Sequence, residues 1–154
     1  MKKMLFSFIA FLFTVALFST QMSLGIAQTV AQNWYSLFYE TENTTIDNYS
    51  IETAKGVQTV FIFNFGEGGF VITSASNDAK PIVAYSDSGT ISLNRNPSLE
   101  WLINCYSNQV YEIIDDSLYY QTHRDTWIEL FTNTYTDERT ESILFMDPTW
   151  NQGV

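Results

Sequence analysis

Val60-Phe61-Ile62-Phe63-Asn64-Phe65-Gly66-Glu67-Gly68-Gly69-Phe70-Val71-Ile72 reads as strand, tight reversal and strand. Phe61, Phe63 and Phe65 alternate with Val60 and Ile62, so one strand carries apolar side chains on both faces. Such a strand belongs in the middle of a sheet, covered above and below. The glycines supply the positive φ angles that a tight reversal requires. Phe70 to Ala75 then returns as the partner strand.

Outward from this hairpin the pattern continues. Asn48 to Thr53 alternates and reads as a strand, with Lys55-Gly56 as its turn. Asn77-Asp78 starts a loop. Pro81 to Ser86 is a further strand, Asp87-Ser88-Gly89 a turn, and Thr90 to Leu93 a short strand. Thr29 to Tyr39 has Val30, Trp34 and Leu37/Phe38 at helical spacing. In the longest helix, Asn96 is the N-cap and Pro97 the first helical residue, where its missing N–H costs nothing. Leu99, Leu102, Ile103, Tyr106, Val110 and Ile113 form its apolar stripe, and Asp115-Asp116 ends it. Burying six such side chains contributes on the order of 10 kcal/mol before chain entropy is subtracted. Trp127, Leu130 and Phe131 suggest a last short helix. The fold class is α+β: an antiparallel sheet of about four strands packed against helices.

At the N-terminus, Lys2 and Lys3 precede an apolar run from Met4 to Phe18, broken by Ser7 and Thr14. The run is roughly 15 residues, short of the roughly 20 a membrane span needs, and suits a signal peptide. Gly25-Ile26-Ala27 places small residues where a signal peptidase reads, which sets cleavage after Ala27. Thr29-Val30-Ala31 is a second option. The expected product is secreted or periplasmic, with no stable membrane anchor, and is monomeric when free. Losing Lys2 and Lys3 leaves five basic against 17 acidic side chains, a net charge of −12. Such a surface repels phosphate backbones and argues against nucleic-acid binding. It would speed encounter with a basic protein, although charge alone names no partner.

Chemistry is sparse. Cys105 is the single cysteine, so no internal disulfide is available, and His123 is the single histidine. A thiol dyad would require the two to meet. Cys105 falls in mid-helix, where the dipole does not activate it. Metal-ligand spacings of the EF-hand, HExxH and CxxC types are missing, and Gly66–Gly69 lacks the GK[ST] ending of a phosphate loop. The reading is therefore no catalytic residue, no metal and no cofactor. Most aromatics fall on expected core faces, although a carbohydrate- or surface-binding module stays open as an alternative.

The order of motifs resembles the streptopain inhibitor (Spi) domain and the propeptides of streptopain-type, papain-like cysteine proteases. The residues that carry the likeness are Phe70-Val71-Ile72, then Pro81-Ile82-Val83-Ala84-Tyr85-Ser86-Asp87-Ser88-Gly89 as a P-I-x-x-Y-S-x-x-G segment, then Leu99-Glu100-Trp101-Leu102. It covers about Thr29 to Val110. Near the end, Trp150-Asn151-Gln152-Gly153 is similar to the sequence that opens the mature enzyme in that family. After the signal peptide over 1–27 read above, the resemblance implies an inhibitor domain over 28–146 and a junction remnant over 147–154. It implies no enzyme activity, since the family's catalytic Cys and His lie beyond that junction. Instead it implies occlusion of the active-site cleft of a streptopain-like cysteine protease. The implied contact residues are Arg95, Asn96, Pro97 and Ser98, in the loop that leads into the long helix. A non-inhibitory zymogen remnant or folding-assistance propeptide is the alternative.

Overall fold

The computed structural model describes residues 21–92, 97–116 and 123–136. Helix α1 (Leu24–Tyr39) is followed by strands β1 (Ile46–Ala54), β2 (Val57–Phe65), β3 (Phe70–Ser74) and β4 (Ile82–Ser86). Helices α2 (Pro97–Asp115) and α3 (Arg124–Phe131) complete the described chain. The strands form one antiparallel sheet in the order β1-β2-β3-β4, each paired with its neighbour in sequence. The α+β arrangement read from the sequence is what the chain adopts.

β2 decides the layering, as its pattern predicts. Phe61, Phe63 and Phe65 join Ala27, Ala31 and Tyr35 of α1 in one buried cluster. Val60 and Ile62 point the other way and join Ile72, Ile103 and Val110 in a second, under α2. The sheet thus lies between α1 on one face and α2 on the other. A third cluster, Val30, Trp127 and Leu130, fixes α3 beside α1.

Two turns show their chemistry. Lys55 (φ 50°) and Gly56 (φ 82°) both take positive φ between paired Ala54 and Val57. Two positive φ angles in a two-residue loop follow the right-handed twist of the strands. Gly69 (φ 81°) also runs so close to β4 that a Cβ would clash with the Ser86 carbonyl oxygen.

Four expectations need correction. The stretch 90–92 is not a strand; Ile91 is held instead by the Asn64 side chain, which stands in for a neighbouring strand. Leu102 is not in the α2 stripe but 38% exposed, while Ser107 is buried there and bonds Thr59. On α1 the buried line is Ala27, Val30, Ala31 and Tyr35, with Leu37 exposed. The same helix begins five residues earlier than the Thr29 start expected, capped by the Ser23 hydroxyl, which accepts from the Ile26 N–H. Ala27, expected at a cleavage point, is therefore a fully buried core residue in the second turn of a helix.

Candidate functional site

The loop implied as the contact region lies between two anchored ends. On its upstream side Ile91 is buried, its N–H donating to Asn64 Oδ1 (2.7 Å) and its carbonyl accepting from Asn64 Nδ2 (3.0 Å). Asn64 Nδ2 also donates to Asn48 Oδ1 (2.7 Å), so this 2%-exposed amide is bonded on three sides. A buried amide near the end of β2 is costly unless it is satisfied in this way. On the downstream side, Leu99 and Ile103 of α2 pack against the cluster under the sheet.

Arg95 and Asn96 lie outside the described residues. Pro97 and Ser98 open α2 and are exposed. One turn on stands Trp101, 68% exposed, beside Leu102. Helical geometry explains its direction. At about 100° per residue, Leu99, Ile103, Tyr106 and Val110 share one face. Trp101 falls two residues from both Leu99 and Ile103, so it points almost directly away from the core. The sequence reading treated Trp101 as part of a family helix and missed it as a surface group. The signal was available: an indole at the wrong angle for the stripe it interrupts. Pro97, Ser98, Glu100, Trp101 and Leu102 together form an exposed end with a large apolar group near its centre.

The rest of the molecule carries few reactive groups. His123 precedes the first turn of α3, and its N–H donates to the Asn77 carbonyl (3.0 Å). It lines a cleft of about 480 Å³ with Asp78, Lys80, Tyr106 and Gln109. Cys105, half-buried on α2, is not part of that lining. The structure does not bring the two together as a dyad. Among the described residues no cluster of His, Cys, Asp or Glu could hold a metal ion. No described helix is long and apolar enough to cross a membrane. Trp150, Asn151, Gln152 and Gly153 lie outside the described residues.

The opposite face holds the perturbed groups. Tyr39 is pushed up to about 12, first by burial and then by Asp87, Tyr85 and Tyr35. Its hydroxyl is buried without a hydrogen-bond partner, so nothing there favours the phenolate. Tyr35 is also raised, by burial first and then by Glu67 and Asp87; its hydroxyl donates to the Gly68 carbonyl (2.8 Å). These phenols serve packing and lie on the sheet face opposite α2.

Comparison with known families gives the class. The model of the Spi protease inhibitor family matches residues 19–110, from upstream of α1 through the sheet and into α2. The chain belongs to the Spi protease inhibitor family. No curated protein and no solved structure matches it. The match ends at Val110, as the motif reading did, but starts ten residues earlier than the Thr29 expected. Helix α3 lies beyond it.

Proposed function

We propose that the protein is an exported inhibitor of a streptopain-like cysteine protease and has no catalytic activity of its own. It acts by occluding the active-site cleft with the N-terminal end of α2 and the loop before it. Membership of a protease-inhibitor family supports the class. The observation that carries the mechanism is Trp101, left 68% exposed at the end of a helix whose other face is locked into the core.

The physical argument concerns cost. A propeptide tethered to its enzyme enjoys an effective concentration near millimolar, on the order of 10⁻³ M. A free inhibitor must reach about −8 kcal/mol unaided to act at micromolar levels. That takes roughly 800 Å² per partner and a few desolvated anchors, with tryptophan prominent among them. Ordering flexible groups on binding subtracts from this sum. The packing of Leu99 and Ile103 into the core reduces that loss for the first turn of α2.

The aromatic arrangement does not favour the carbohydrate-module alternative. The flattest stack, Tyr35 on Phe65 (3.9 Å, 5°), involves two buried residues, and Trp34 on Phe38 (5.7 Å, 17°) is half-buried. A sugar platform needs such rings in solvent.

Titration of the purified chain into a streptopain-like protease with a peptide substrate tests the proposal. Inhibition at micromolar levels, competitive with substrate, is expected. Unchanged hydrolysis at tens of micromolar, with the enzyme merely refolding better beside the chain, would favour the folding-assistance reading.

A further inference from the structure

We propose that the export leader is removed N-terminal to Gln21, within Ala16–Thr20, and not after Ala27. The inference rests on the export reading above but is carried by residues 21–27 as the fold uses them. Gln21 bridges Ser76 and its side-chain amide donates to the Gln58 carbonyl (3.4 Å). The Met22 N–H donates to the Ala75 carbonyl (2.9 Å), which ties the chain to the end of β3. Ser23 caps α1 through the Ile26 N–H (3.4 Å), and its carbonyl accepts from the Ala27 N–H (3.0 Å). Leu24 packs on the aromatic cluster, while Met22 and Ile26 pack on Val30, Trp127 and Leu130.

A cut after Ala27 would remove all of this. Ala27 is itself 0% exposed among Phe61, Phe63 and Phe65. The helix would shrink from 16 residues to the 12 from Gln28 to Tyr39 and lose its cap. A helix of about 12 residues is marginal on its own. A new α-amino group at Gln28 would also place positive charge at the positive end of the helix dipole. The family match points the same way, since it begins at residue 19 and so includes Gln21 to Ala27.

The leader's requirements are met further upstream. A signal peptide needs an apolar core of roughly 7–15 residues followed by small residues. Met4 to Val15 supplies the core, and Ala16, Ser19 and Thr20 supply the small residues. One peptide bond is hydrolysed by the exporting membrane's signal peptidase. Water gives its hydroxyl to the leader's new carboxyl and its proton to the new α-amino group. Size alone misleads here, because the residues a peptidase accepts are also those that let a helix lie close to a sheet.

The test is the intact mass of the exported product from the full chain, carrying a C-terminal tag, in a host with a general secretory pathway. A start between Leu17 and Gln21 is expected. A start at Gln28 overturns the proposal and leaves the export reading standing. An uncleaved chain retained in the cytosol overturns both. A second measurement compares chains that begin at Gln21 and at Gln28 and run to Val154. The shorter chain is expected to lose cooperative unfolding or to melt at least about 10 °C lower. Equal midpoints would show that residues 21–27 are dispensable and would overturn the proposal.

Discussion

Under α1 the sheet presents Phe61, Phe63 and Phe65, and most rings that meet this layer have ring partners of their own. Tyr35 stacks on Phe65 at 3.9 Å and meets Tyr39 at 4.7 Å, while Phe38 stands edge-on to Tyr85 at 4.4 Å. Under α2 the sheet presents Val60, Ile62 and Ile72, and the helix answers with mainly aliphatic side chains, Tyr106 and the buried Ser107. The largest aromatic of that helix, Trp101, faces solvent. One face thus spends its aromatic surface on cohesion. The other is closed by smaller groups and leaves its indole outward. If the α2 end is the contact surface proposed above, the difference separates stability from recognition, and the two should respond to different mutations.

The largest effect is expected on the α1 side. Phe63→Ala should lower unfolding free energy by about 3–5 kcal/mol, read by urea denaturation, against about 0.5–1.5 for Ile62→Val on the other face. Similar losses at both positions would break the contrast. Trp101→Ala should do the reverse. Affinity for the protease should fall by about thirtyfold, corresponding to about 2 kcal/mol, with the thermal midpoint within about 3 °C of the parent. A stability loss with unchanged affinity would make Trp101 a structural residue.

Asn64 links the faces. Asn64→Leu leaves the buried Ile91 N–H and carbonyl without their partner and should cost about 1–3 kcal/mol in urea unfolding. It should also weaken protease binding several-fold, because the segment after Ile91 loses its upstream anchor. The smallest effect is electrostatic and belongs to the α1 side. Tyr39 keeps its proton in the fold until about pH 12, whereas the unfolded chain releases it near 10. Between these values the folded state holds more protons, so its stability is intact below pH 10 and declines as pH rises through that window. Tyr39→Phe should flatten this alkaline decline, measured as urea midpoints at about pH 8 and about pH 11.

Much of this fold was legible in the sequence because β2 is apolar on both faces, and a strand of that kind has only one place to go. The long helix was equally plain, since Pro97 and Asp115 mark its ends by backbone and dipole chemistry. What escaped were positions where one residue property serves two purposes. Ala27 is small, which suits both a peptidase and a helix packed tightly on phenylalanines. Ile91 alternates like a strand residue, yet its partner is a side chain that periodicity does not detect. Ser107 is polar in sequence but small enough to be buried once Thr59 faces it. Trp101 lies outside the apolar stripe, and only its angle on the helix shows that so large an apolar group faces solvent.

The central claim is that a locked helix end blocks a thiol protease's cleft. Its most direct test is the rate at which a small alkylating reagent modifies the protease's catalytic cysteine with saturating inhibitor present. The account predicts strong protection by the parent chain and much weaker protection by Trp101→Ala at the same concentration. Alkylation at the free-enzyme rate in a complex shown to be fully formed would place the contact away from the active site and contradict it.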